Sequence, residues 1–253
     1  MLCAPRLTVL ASRAIATVMV LSSLGSATYA APVSLVTNGD FTASTYTSNS
    51  QFGSGSGQQG QGVTGWTGNN GYDLYFTSAA AASTKNAAGQ YSYTGNEKLY
   101  GPVANSPTGG AFVALDGDSA LTSTISQLIS GLTVGSQYKL DFDWGAAQVQ
   151  SRSGATTESF AVSLGSQTFT TKAVANPSQS FTGWMHQTFT YTATSVTEAL
   201  TFLSVGTPTG LPPIATLDGV SLVAVPEPAS LTLLSFGLLG VYAVRRSTVR
   251  KPA

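Results

Sequence analysis

The sequence predicts an all-β protein, an antiparallel β-sandwich of jelly-roll type, with a signal helix before it and a transmembrane helix after it. Three observations carry this reading. Apolar and polar residues alternate strictly over Tyr138–Trp144, the mark of a sheet with one face on a core and the other in water. Similar short runs recur along the chain with turn residues between them. No segment between the two ends holds a sustained helical period.

The N-terminus comes first. Arg6 and Arg13 precede an apolar stretch from Ala14 to Leu24, and small residues follow at Ser26, Ala27, Ala30 and Ala31. A positive start, an apolar middle and a small-residue end define a secretory signal peptide over residues 1–30, with cleavage after Ala30 or Ala31. Cys3, the only cysteine, lies ahead of that point, so the exported part has no disulfide and depends on its core for stability.

Residues 32–224 then suit one β-sandwich domain. Within it, the stretch 48–71 is dense in Gly, Ser, Gln and Asn and reads as a long surface loop. Ala79–Ser83 is apolar without a period and carries no assignment. Strands are expected at Ala111–Leu115, Thr122–Ile129, Tyr138–Trp144, Phe160–Leu164, Gln167–Thr170, Met185–Thr192, Ala199–Val205 and Ala215–Val223. Gly165-Ser166, between two alternating runs, reads as a two-residue hairpin turn. Tyr138, Leu140, Phe142 and Trp144 point inward, and Lys139, Asp141 and Asp143 outward. In Met185–Tyr191 the inward set is Met185, Phe189 and Tyr191.

The overall charge balance conceals an acidic domain. Six of the eleven basic residues lie in the two terminal segments, which leaves five cations against ten carboxylates and a formal net charge of −5. Without a basic stripe such a domain is a poor partner for nucleic acid.

The C-terminus is the most informative segment. Val225-Pro226-Glu227-Pro228 ends the folded part, because two prolines exclude a continuous helix or central strand. An uncharged apolar helix, 229–244, follows, and then Arg245-Arg246 and a basic tail over 248–253. Sixteen residues fall just short of the roughly 17–25 of a transmembrane helix, and the basic end fits a cytoplasmic stop. Pro-Glu-Pro, a short apolar span and an Arg-rich end, together covering 225–247, closely resemble the PEP-CTERM sorting signal of Gram-negative bacteria. The resemblance implies recognition by a membrane-embedded exosortase through Pro226, Glu227, Pro228, Arg245 and Arg246. It also implies delivery to the outer surface or extracellular matrix, in association with exopolysaccharide and biofilm. A permanent single-pass anchor is the alternative, and the sequence leaves open whether the helix is removed.

Several phrases of the domain, in order, resemble the galactose-binding-like sandwiches of carbohydrate-binding modules. They are Leu35-Val36-Thr37-Asn38-Gly39-Asp40-Phe41 with Trp66 further on, Ile125-Ser126-Gln127 before Tyr138–Phe142, Trp184 through Ser195, and Leu217-Asp218-Gly219-Val220-Ser221-Leu222. The likeness implies a sugar-binding, non-catalytic role. It also implies a structural calcium where first and last strands meet, at Asp218 and near Asp40. Thr42 stands where that family commonly has Glu. Calcium takes oxygen ligands, and Asp116-Gly117-Asp118 offers a second oxygen cluster whose plainer reading is a turn.

A sugar site combines aromatic faces with polar groups. Trp66, Tyr72, Asp141 and Asp143 are the candidates, with Tyr75, Tyr91, Tyr93 and Tyr100 behind them, while Trp184 reads equally as core or platform. Catalysis finds little support. His186 is the only histidine, no Gly-x-Ser-x-Gly elbow or phosphate loop occurs, and Asp141 and Asp143 sit at the spacing of any two-apart pair on a strand. A structural matrix component or adhesin without a sugar ligand is the second reading, and a glycoside hydrolase the third.

Overall fold

Among the described residues, the strands are β1 (Ser50–Phe52), β2 (Thr67–Gly68), β3 (Asp73–Phe76), β4 (Phe112–Asp116), β5 (Thr124–Ser130), β6 (Gln137–Gln148), β7 (Thr156–Leu164), β8 (Gln167–Thr170), β9 (Val174–Asn176), β10 (Met185–Thr192), β11 (Thr197–Thr207) and β12 (Pro213–Ala224). A single helical turn, α1, covers Ala79–Ala82. The computed structural model describes residues 33–52, 62–69, 72–83, 98–121, 123–150, 152–226 and 237–242. The chain divides into two units, Met1–Ala31 and Pro32–Ala253. The first, with the expected signal peptide, lies outside the described residues.

The strands form two antiparallel sheets. Sheet one runs β1-β3-β4-β12-β6-β10, and sheet two runs β2-β5-β11-β7-β8, with β9 also on β7. The inner faces meet over one apolar core, which is the sandwich that the alternating runs imply. Phe142, Phe160 and Phe202 interlock edge to face at its centre, with ring centroids 5.1–6.5 Å apart. Each such ring, taken fully out of water, contributes about 1.5–3 kcal/mol. The inward sets read from β6 and β10 hold. Tyr138, Leu140, Phe142, Trp144 and Tyr191 are buried, and Met185 and Phe189 pack against them.

Beyond Trp144 the alternation in β6 stops, for a physical reason. A second apolar cluster of Leu74, Phe76, Leu99, Phe112, Ala147, Val149 and Ile214 covers that half of sheet one from outside. Strands buried on both faces lose their polar alternates. Gly145 is required there, since a Cβ would fall 2.6 Å from the Gly183 carbonyl oxygen.

Two glutamine side chains substitute for strand neighbours. The Gln127 amide accepts from Thr37 N–H (2.7 Å) and donates to Thr37 C=O (2.8 Å). Gln167 makes the same pair of bonds to Thr192, which ties the edge of sheet two to that of sheet one.

Two sequence expectations need correction, and one unassigned segment gains a structure. The 48–71 segment is not one loop, because Ser50–Phe52 pairs with β3, Val63 bridges Ser44, and Thr67–Gly68 joins β5. Its pairing partners lie far along the chain, so local composition does not reveal them. Leu35–Phe41 forms bends and a turn rather than a first strand, with Asn38 and Phe41 at φ of 52° and 54°. Ala79–Ser83 contains α1, capped by the Ser78 hydroxyl.

β12 ends at Ala224, and Val225 N–H donates to Gln137 C=O (2.8 Å) before the exposed Pro226. Glu227, Pro228, Arg245 and Arg246 lie outside the described residues. Of the expected 229–244 helix, residues 237–242 are helical. No helix among the described residues is long and apolar enough to cross a membrane.

Candidate functional site

The half of sheet one left uncovered by the second cluster presents a polar outer face. β10 and β6 pair in a register that puts His186 opposite Asp143 and Thr188 opposite Asp141. His186 Nδ1 lies 3.0 Å from Asp143 Oδ1, and Nε2 lies 3.5 Å from Asp141 Oδ1. Asp141 also accepts from the Thr188 hydroxyl (2.6 Å) and pairs with the Lys139 ammonium (2.8 Å). Burial alone would raise the Asp141 carboxyl, but the Lys139 and Thr188 bonds hold it below the usual range.

Next to this pair, β12 bulges between Asp218 and Ser221. Gly219 takes φ 62° there, and a Cβ on it would come within 3.1 Å of Asp143 Oδ2 and of the Thr108 methyl. Asp218 is buried. Its Oδ2 accepts from the Ser106 and Thr108 hydroxyls, the latter at 2.9 Å, and its Oδ1 accepts from Gly219 N–H (2.7 Å). Burial pushes Asp218 up to about 7, with the Asp40 carboxylate adding to the rise.

The aromatic component is Trp184. It precedes β10 and points to the same side as His186, since successive alternate residues of a strand share a face. Its ring packs edge-on against Phe112 and Phe181, and Nε1 donates to Ala104 C=O (3.0 Å). The indole is half-buried, so it is pinned by its neighbours while still reaching solvent.

The sequence candidates separate accordingly. Asp141 and Asp143 face outward on one strand and meet in the polar cluster around His186. Trp66 does not join them. It is buried in the main core against Phe41 and Phe202, with Nε1 bonded to Asn38 C=O (3.0 Å). Tyr72 packs at the margin of the second cluster, and Tyr75 and Tyr100 are buried. Tyr91 and Tyr93 lie outside the described residues. His186, Ser106 and Thr108 were not legible as site residues, because their roles depend on a cross-strand register and on a loop more than 100 residues from Asp218. Their only sequence signal is the outward position of His186 beside two outward aspartates.

The calcium expectation can be tested on donor chemistry. Both Asp218 oxygens already accept hydrogen bonds, and Asp40 Oδ1 accepts from the Thr42 hydroxyl (3.0 Å). The Asp218 and Asp40 carboxylate oxygens are thus engaged by Ser106, Thr108, Thr42 and Gly219 in this arrangement. Among the described residues no group of three or more His, Cys, Asp or Glu is arranged to hold a metal. In Asp116-Gly117-Asp118, Asp116 accepts from Asp118 N–H (2.7 Å), and Asp118 accepts from the N–H groups of Gly210 (2.6 Å) and Ala120 (2.9 Å). This is turn chemistry.

A different acidic feature lies at that end of the sandwich. Glu158 and Asp73 project into the interior from opposite sheets, both buried. Glu158 Oε1 accepts from the Ser204 hydroxyl (3.1 Å), while Oε2 has no partner and is wedged against Gly117 and Gly206. Burial first, and then the nearby Asp116 carboxylate, push Glu158 up to about 8. Asp73 is raised to about 8 by burial. The Asn69 N–H and Ser123 hydroxyl approach its oxygens without closing a bond of ordinary geometry.

Comparison with known proteins adds two findings. The PEP-CTERM protein-sorting motif matches residues 224–247, so the chain carries the signal of an exported, sorted protein. Among solved structures, the chain is similar to one described as "CBM4 structure and function", at 14% identity over 75% of this chain and 99% of that one, with a TM-score of 0.35. It is also similar to the CBM22-1 xylan-binding domain of Paenibacillus barcinonensis Xyn10C, at 13% identity over 79% and 100%, with a TM-score of 0.36. A third is TmCBM61 in complex with β-1,4-galactotriose, at 14% identity over 64% and 90%, with a TM-score of 0.37. No curated protein matches the sequence.

Proposed function

We propose that this protein is an exported, non-catalytic carbohydrate-binding sandwich, delivered through its PEP-CTERM tail, whose ligand lies on the outer face of sheet one. The observation that carries the reading is the pinned, solvent-reaching Trp184 indole beside the Asp141–His186–Asp143 cluster. An aromatic face takes sugar C–H surfaces, and fixed carboxylate, imidazole and hydroxyl groups take sugar hydroxyls. The ligand class is the exopolysaccharide of the producing cell, in keeping with the sorting signal. Asp141 and Asp143 are tied to Lys139, His186 and Thr188 on the sheet face, and Asp218 is held beneath it by Ser106 and Thr108, which suits binding better than bond cleavage.

Affinity electrophoresis on the host exopolysaccharide and a glycan panel tests the site. The protein is expected to be retarded on at least one glycan. Trp184→Ala and Asp143→Asn are each expected to lose tenfold or more of that affinity, roughly 1.4 kcal/mol. Equal retardation of wild type and both variants would refute the site, and turnover of a glycan lost in Asp141→Asn would favour a hydrolase instead.

Sorting is tested separately. The exosortase-type protease is expected to act near Pro226, Glu227 and Pro228, where the chain has just left the sheet, and to remove 229–253. Intact mass from the host should show a species beginning near Ala31 and ending near Pro228, lost in Glu227→Ala. Full-length protein in both strains would mean a permanent anchor.

A further inference from the structure

We infer that this protein pairs with a second copy of itself through the outer face of sheet two. That face presents no exposed charge from its strands. The only charged residues in the strands of the sheet, Glu158 and Glu198, are both buried. Its outward side chains are Thr, Ser, Ala and a few aliphatics, with Leu128 70% and Val205 45% exposed. Exposed charges are what keep copies of a soluble domain apart, and this face presents none from its strands. The domain as a whole is acidic, so two copies repel wherever carboxylates face each other. This face is where they can meet without that repulsion.

The register supplies self-complementarity. Thr67, Ser126, Thr201, Ser163 and Thr168 stand opposite one another in a single row across all five strands from β2 to β8. Each is outward, because its strand neighbours Ile125, Phe202, Val162 and Phe169 point to the core or the sandwich edge. On β11, Leu203 and Ala199 lie two residues to either side of Thr201. On β5, Leu128 and Thr124 flank Ser126 in the same way. A two-fold axis along the hydroxyl row therefore lays Leu203 of one copy on Ala199 of the other and Leu128 on Thr124, large on small, as an isologous interface requires. The hydroxyl row meets its own image and can exchange hydrogen bonds across the axis.

Area sets the strength. Seven residues each of β5, β11 and β7, with the two of β2 and the four of β8, at about 4.8 Å by 3.4 Å per residue give a patch of about 440 Å². That falls short of the roughly 800 Å² per partner of a standard interface, so the pairing is reversible and concentration-dependent rather than obligate.

Sedimentation velocity of the full-length chain in detergent micelles, from micromolar to sub-millimolar concentration, tests the proposal. Wild type is expected to shift from monomer to dimer over that range. Thr201→Lys and Thr201→Glu, each facing its own copy across the axis, are expected to raise the dissociation constant at least tenfold, and Ser126→Lys likewise. Mixing Thr201→Lys with Thr201→Glu is expected to restore the dimer, a rescue that neither a folding defect nor association through the apolar tail can mimic. A wild type monomeric throughout, variants that associate as tightly as wild type, or a mixture that stays dissociated would each overturn the proposal. So would a monomeric wild type whose retention on a neutral polysaccharide is lost in Thr201→Lys, since the face would then belong to a glycan.

Discussion

Replacing Glu158 by Gln should stabilise the domain in mild alkali and leave it nearly unchanged in acid. Glu158 is 1% exposed, and burial together with Asp116 raises its carboxyl from 4.5 to about 8. The sign follows from linkage. At pH 4 both the folded and unfolded chains hold the proton, and the group contributes no pH-dependent penalty. Between pH 4.5 and 8 the unfolded chain releases the proton while the folded chain keeps it, so stability falls with rising pH. At about 1.4 kcal/mol per pH unit, the full loss is on the order of 4–5 kcal/mol. Glutamine keeps the shape and an acceptor for Ser204, cannot ionise, and can turn its amide N–H toward Asp116. Urea unfolding of both proteins at pH 5 and pH 8.5, followed by tryptophan fluorescence, measures the difference. The expected gain for the variant is several kcal/mol at pH 8.5 and less than about 1 kcal/mol at pH 5. Parallel pH profiles for the two proteins, or a variant weaker at pH 8.5, would refute the assignment of Glu158 as a protonated buried acid.

Other outcomes follow from the same structure. Phe202→Ala, which removes a ring in contact with Trp66, Phe142 and Phe160, should cost about 3–5 kcal/mol of unfolding free energy, measurable by urea titration. Gly219→Ala forces a side chain into φ 62° and against Asp143 and Thr108. It should cost about 1–3 kcal/mol and weaken glycan retention by displacing the Asp143–His186 pair. Millimolar calcium should leave the melting temperature of wild type unchanged. A rise of several degrees would mean that Ser106 and Thr108 release Asp218 to the ion.

What the sequence revealed depended on range. Strict alternation in Tyr138–Trp144, and alternation broken only at Gln187 in Met185–Thr192, was enough to place both strands and their inward faces, because a two-residue period is a local property. Gly165-Ser166 likewise announced its hairpin, and Gly165 takes φ 57° in it. The short strands β1 and β2 were hidden inside Gly/Ser-rich sequence because partners on β3 and β5 define them. Trp66 looked like a loop aromatic for the same reason, although the fold closes over it. The outward aspartates could be read from alternation. Their histidine partner required the register of β6 with β10, and Trp184 required the second cluster that pins it. Neither is a local property.

The sorting segment leaves the domain from β12, which lies between β4 and β6 in the interior of sheet one. Interstrand hydrogen bonds run perpendicular to the strands, so tension applied along β12 loads both of its ladders in shear, with all bonds sharing the force at once. An edge strand such as β10 would instead have a single ladder to resist it. Any pull exerted through the C-terminal segment runs along this line. The exit point of the sorting segment therefore sits at a mechanically resistant position in the fold.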